Sequence, residues 1–238
     1  MSKKPFSSKR KRTSKAARPE QVHELTITLK HSKPPIWRRI AVPSDMLLSD
    51  LHWVIQIAMG WTNSHLHQFI VRSNKPRPKI EDIRSMSLEK RWDKLTDFMQ
   101  RDRFISDPQF ELEDAEDERK VKLCELAPMV KSKFIYEYDF GDGWEHVIKT
   151  VKIGPPMENI DYPVCLKGKF ACPPEDCGGI WGYYEMLEIL EDPKNERYEE
   201  FLDWLDGDFD PEHFDIEQIN SDLVDILKGK KYIVWELY

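Results

Sequence analysis

Two short segments hold most of the residue types that could do chemistry: Asp139-Phe140-Gly141-Asp142-Gly143-Trp144-Glu145-His146 and Cys172-Pro173-Pro174-Glu175-Asp176-Cys177-Gly178-Gly179. The first packs carboxylates and an imidazole around two glycines. Such a set can ligate a metal, orient a histidine as general base, or build an Asx-type turn with exposed charge. The second, with Cys165 upstream, sets three thiols at spacings of six and four intervening residues. That is enough chain to wrap sulfurs around a soft cation. Thiolates with imidazole select zinc, so Cys165, Cys172, Cys177 and His146 form one candidate zinc set. The alternative for the thiols is small buried side chains packing a Gly/Pro-rich loop.

A second constellation is catalytic. His65 and His67 are two residues apart on a predicted strand, so both imidazoles project from one face. With Asp142 and His146 they could hold a metal with an open position, and Glu145 or Glu175 would activate water. Asp139-Phe140-Gly141 matches the kinase triplet, but no Gly-rich loop or His-Arg-Asp segment accompanies it. The series Asp206, Asp208, Asp210 and Glu217 mimics a calcium loop, yet Pro211 stands where its sharp turn needs glycine.

The elements that must position these residues follow from periodicity. Leu25, Ile27 and Leu29 alternate with polar residues over 23–30, and Ile36 to Val42 reads as a hairpin partner after Pro34-Pro35. Leu48, Leu51, Val54, Ile55, Ala58 and Met59 form a helical stripe that ends at Gly60, with His52 and Gln56 on its more polar side as surface or boundary residues. Period two returns over 65–72. An irregular insertion is expected at about 73–109, with a short helix near 95–99, then a short strand at 121–123. Phe134 to Phe140 and His146 to Ile153 predict a central hairpin turning at Gly141 to Gly143. Residues 154–179 read as loop, followed by helices at 183–190, 198–205 and 216–227, and a terminal alternating segment at 231–238. This order predicts an α+β fold with a small mixed or antiparallel sheet, a β-β-α-β start and a C-terminal helical group.

Charge and composition narrow the function classes. Of 238 residues, 40% are apolar and 33% charged, with net charge −7. The first 18 residues carry eight basic and no acidic side chains, leaving 28 basic against 43 acidic beyond them, a net −15. Residues 1–20 are thus expected to be a disordered basic tail preceding one α+β domain over 21–238. The tail offers nonspecific nucleic-acid contact, whereas the acidic body disfavours a broad phosphate-binding face. No 18-residue apolar run or export signal is present, so a membrane role is excluded and a cytoplasmic location is expected.

Longer motifs carry a family likeness. Pro34-Pro35-Ile36-Trp37-Arg38-Arg39, the run Leu51 to Trp61 ending Ala58-Met59-Gly60-Trp61, His65-Leu66-His67-Gln68-Phe69, Tyr136 to His146, Tyr162-Pro163-x-Cys165-x-x-Gly168, Ala171 to Gly179 and Trp181-Gly182-Tyr183 together resemble the Orf-3-like family, named after a root-inducing plasmid protein. The resemblance implies a single α+β domain found mostly in bacteria and on mobile elements. Some members carry a transposon-resolvase label, which no recombinase nucleophile arrangement in this sequence supports. Three functions are therefore expected to compete: a metal-supported binding or accessory domain, a metal-dependent hydrolase or nuclease, and a protein-interaction domain anchored by Trp181 and Tyr183.

Overall fold

The computed structural model describes residues 18–72, 79–99 and 102–227. Most of the basic leader and the terminal alternating segment lie outside these residues. The described strands form an eight-stranded mixed sheet. They are β1 (Val22–Leu29), β2 (Trp37–Pro43), β3 (His67–Val71), β4 (Arg103–Ser106), β5 (Glu116–Asp117), β6 (Lys133–Tyr138), β7 (Trp144–Gly154) and β8 (Val164–Lys169). Their spatial order is β5-β4-β3-β6-β7-β1-β2-β8. Every neighbouring pair is antiparallel except β4 with β5.

One sheet face is covered and the other is half-exposed, as the alternation in β1 and β7 requires. Leu25, Ile27 and Leu29 point into the core, as do Trp144, His146, Ile148 and Thr150. The register stacks His67 beside Tyr138 and Tyr138 beside Trp144. The next row sets Phe69 beside Tyr136 and Tyr136 beside His146. Helix α1 (Leu48–Met59) lies over this face, and Gly60 ends it with φ +90° while its N–H returns to the Gln56 carbonyl at 2.8 Å. Helices α5 (Gly179–Leu190) and α7 (Ile216–Leu227) add Tyr183, Met186 and Leu223 to the same core.

Three further helices complete the described chain before α5 and one between α5 and α7: α2 (Ile80–Arg84), α3 (Leu88–Met99), α4 (Leu123–Leu126) and α6 (Tyr198–Trp204). The α+β class and the β-β-α-β start hold, but the sheet is larger than expected. The 73–109 stretch contains α2, α3 and β4, and the loop expected over 154–179 contains β8. The strand expected at 121–123 is instead a single bridge from Lys122 to Leu47, followed by α4.

The expectation that His52 and Gln56 are surface or boundary residues is corrected. They are 2% and 1% exposed. Both reach the buried Tyr136 hydroxyl at 2.8 Å: the Gln56 amide donates to it, and His52 bonds it through Nδ1. Polar side chains can occupy a core when their hydrogen bonds are met there. Among the described residues no helix is long and apolar enough to cross a membrane.

Candidate metal centre at the end of the central strands

His67 pairs with Tyr138 as β3 begins and β6 ends. The residues just beyond that rung, His65 before β3 and Asp139 after β6, therefore emerge together at one end of the sheet. The Asp139 N–H donates to the Leu66 carbonyl at 2.8 Å and fixes this approach. Asp139 then turns the chain in a left-handed conformation, φ +55°. Its Oδ1 accepts the N–H groups of Gly141 (2.9 Å) and Asp142 (3.3 Å), an Asx turn that leaves Oδ2 free to face His65.

The loop before α5 closes on this turn. Asp142 Oδ2 accepts the Gly178 N–H at 3.2 Å. Gly179, at φ +69°, lies so close that a Cβ there would stand 2.6 Å from the Asp142 carbonyl oxygen. That closure brings Asp176, also left-handed at φ +61°, to the histidine. His65 Nε2 lies 3.2 Å from Asp176 Oδ1 and 3.7 Å from Asp139 Oδ2. The three ligand atoms fall within 4.8 Å of one another, and among the described residues no other group of three His, Cys, Asp or Glu ligands converges so closely.

Several details fit a cation. Ligands held at about 2.1 Å in tetrahedral or octahedral geometry stand about 3.0–3.4 Å apart. The two distances from His65 are close to that. His65 Nε2 is shielded from solvent and has no hydrogen-bond partner, although two carboxylates face it. The side chains of Asp139 and Asp176 are 9% and 69% exposed, so the set is anchored on one side and open on the other.

The remaining candidates fall elsewhere. His67 does not join His65, because it enters β3 and points into the core. There it bonds Glu118 Oε2 at 2.8 Å and stacks on His52 with ring centroids 3.6 Å apart. Burial lowers His67 to about 4. Burial, with Asp107 and Asp117 nearby, raises Glu118 to about 8. His146 is fully buried, bonds the Tyr136 carbonyl through Nδ1 at 3.3 Å, and is lowered to about 4 by burial. Glu145 pairs with Lys30, and Asp142 serves the Gly178 contact.

Glu175 is engaged through both carboxylate oxygens. Tyr138 donates to Oε1, while Thr62 donates to Oε2 from its N–H at 3.1 Å and from its hydroxyl at 2.5 Å. Cys165, Cys172 and Cys177 do not assemble with His146 into a ligand group. Cys165 sits on β8, where its backbone is paired by Asn220 of α7. Burial pushes Cys172 and Cys177 up to about 12. Tyr183 lies in the core, while Trp181 is 84% exposed.

The two aspartates that complete the cluster stand inside the segments singled out from sequence: Asp139 among the carboxylates that could ligate a metal or build an Asx-type turn, Asp176 in the cysteine-bearing loop, and neither belongs to the ligand sets expected there. Their common signal was an Asp two residues before a glycine, Asp139-Phe140-Gly141 and Asp176-Cys177-Gly178. Asp tolerates the left-handed conformation that such turns use.

Residues 21–218, most of the chain and all three cluster residues, match the family described as plasmid pRiA4b ORF-3-like protein. The chain belongs to that family. The uncharacterized protein y4hQ of Sinorhizobium fredii (strain NBRC 101917 / NGR234) is 37% identical to it over 207 residues, covering 86% of this chain and 92% of the relative. The crystal structure of a protein of unknown function, MM3350 from Methanosarcina mazei Go1, superposes with a TM-score of 0.67 at 36% identity. It covers 84% of this chain and 97% of its own.

Proposed function

We propose that this protein is a metal-supported binding domain in which His65, Asp139 and Asp176 hold one divalent cation. The convergence of three ligand atoms from three separate segments carries the reading. One imidazole with two carboxylates suits borderline to hard ions, and zinc is the expected occupant in place of a thiolate-bound zinc. Three protein ligands leave coordination positions for a ligand from outside. The rim supports docking: Leu66 and Phe140, which follow two of the ligands, are 42% and 39% exposed. An oxyanion flanked by apolar groups, such as a carboxylate-bearing peptide, fits that combination.

The hydrolase reading has less support because the groups that would activate water are committed. Glu175 accepts on both oxygens, Glu145 is ion-paired, and His67 and His146 are interior.

Asp139→Asn tests the site cleanly. Asparagine keeps Oδ1 for the turn and tolerates the left-handed backbone, but replaces Oδ2 with a donor. Titration of chelator-treated protein with Zn²⁺, followed by calorimetry, should give one site per chain in wild type. Asp139→Asn should bind at least tenfold more weakly with unchanged circular dichroism. Wild type that takes up no zinc, or a variant that binds equally well, would refute the assignment.

A further inference from the structure

We infer that the Tyr138 hydroxyl is the positioning group of the cluster, the centre of one hydrogen-bond junction that lies within one residue of every ligand; this rests on the cation reading above. The hydroxyl accepts the N–H groups of Ser64 at 2.9 Å and His65 at 3.3 Å, and it donates to Glu175 Oε1. Glu175 Oε2 in turn accepts from the Thr62 N–H and hydroxyl. One phenol and one carboxylate thereby tie residues 62–65 to the loop that carries Asp176.

Each ligand is at most one residue from this junction. His65 meets it through its own N–H, Asp139 follows Tyr138, and Asp176 follows Glu175. The two aspartates sit in left-handed backbone, which non-glycine residues keep only where the surroundings hold them. A protonated phenol can make all three bonds at once, since it offers one donor and two acceptor positions.

The ring is held independently of the hydroxyl. Tyr138 stacks on Trp61 with centroids 5.0 Å apart, and Trp61 Nε1 donates to the Pro173 carbonyl at 2.9 Å. Removing only the oxygen should therefore leave the core in place and release the ligand loops. Outer partners that orient metal ligands are typically worth about 10–100-fold in metal affinity.

The test compares wild type, Tyr138→Phe, Glu175→Gln, Glu175→Leu and Thr62→Val as full chains, using Zn²⁺ calorimetry and the visible absorption of the Co²⁺-loaded proteins. Tyr138→Phe should bind Zn²⁺ about 10–100-fold more weakly and show an altered Co²⁺ spectrum, with wild-type circular dichroism in the absence of metal. Glu175→Gln, which keeps one acceptor, should retain more affinity than Glu175→Leu. Should Tyr138→Phe fail to fold, Thr62→Val carries the test from the exposed side, and a weakened Zn²⁺ affinity is expected there too. Wild-type affinity and an unchanged Co²⁺ spectrum in Tyr138→Phe, or in Thr62→Val if it alone folds, would overturn the positioning role while leaving the cation site intact. Wild type that binds neither ion overturns the cation reading and this one with it.

Discussion

Glu118 should make the fold lose stability as pH rises above neutral. Its side chain is buried against His67, and burial with the Asp107 and Asp117 charges raises it from 4.5 to about 8, only partly offset by Arg119. His67 is lowered to about 4, so the pair is uncharged near neutrality and shares one hydrogen-bonded proton. Between pH 7 and 9 the unfolded glutamate is already ionised, whereas the folded one still holds its proton and then releases it. The folded state binds more protons there, so stability falls with rising pH. Losing one proton's worth of linkage over that interval amounts to about 1.4 kcal/mol, or a melting temperature lower by about 3–6 °C for a chain of this size. The lowered His67 acts in the opposite sense and mainly below its ordinary value of 6.5, where falling pH destabilises the fold. Glu118→Gln keeps a neutral hydrogen-bonding partner for His67 and has nothing to ionise. Urea unfolding at pH 7, 8 and 9 should show wild type losing about 1.4 kcal/mol relative to this variant. Parallel pH profiles, or wild type gaining on the variant as pH rises, would refute the neutral pair and indicate an ion pair instead.

Three further substitutions probe the scaffold. Gly179→Ala should cost about 1–3 kcal/mol, because it adds a Cβ 2.6 Å from the Asp142 carbonyl oxygen at a positive φ. Gly143→Ala, at φ +68° with open space around it, should cost less, and equal melting temperatures for the two would remove the steric argument. Arg38→Met should destabilise by about 2–4 kcal/mol in urea titrations. The 3%-exposed Arg38 donates to the carbonyls of Ala58 (2.7 Å), Trp37 (3.0 Å) and Lys169 (3.0 Å), and methionine leaves these without that donor. A variant as stable as wild type would show that desolvating the guanidinium cancels those bonds.

The sheet centre was legible because its signals are local. Strands β1, β6 and β7 alternate cleanly, and α1 carries both an apolar stripe and a glycine stop. What was missed depends on distant partners. Strand β8 runs through a Gly/Pro-rich stretch with little alternation, and its backbone is held by Asn220, 55 residues away. Strand β5 is two residues long, and Arg103 on β4 grips Glu116 there through two hydrogen bonds of 2.7 and 2.8 Å. His52 and Gln56 read as surface residues by polarity alone. The Tyr136 hydroxyl, 80 or more residues later, meets both side chains in the core, and Asn63 supplies their remaining hydrogen bonds.

The site shows the same division at closer range. Both chemistry-bearing segments were visible from residue types, yet the ligands within them are set by register. Alternation alone places His65 and His67 on one face and so suggests a shared metal. Strand β3 begins at His67, however, and His67 pairs with Tyr138, the last residue of β6. Beyond that rung alternation no longer governs direction. His65 is released to the end of the sheet while His67 stays on the covered face with Glu118. The same rung puts the Tyr138 hydroxyl in reach of the His65 N–H and delivers Asp139 as the next residue. Asp176 arrives only because Gly178 and Gly179 let the loop before α5 close on Asp142. A cation cluster built this way sits just past the last paired residues of two antiparallel strands, so the strand pairing that no single segment encodes is what turns two polar turns into one site.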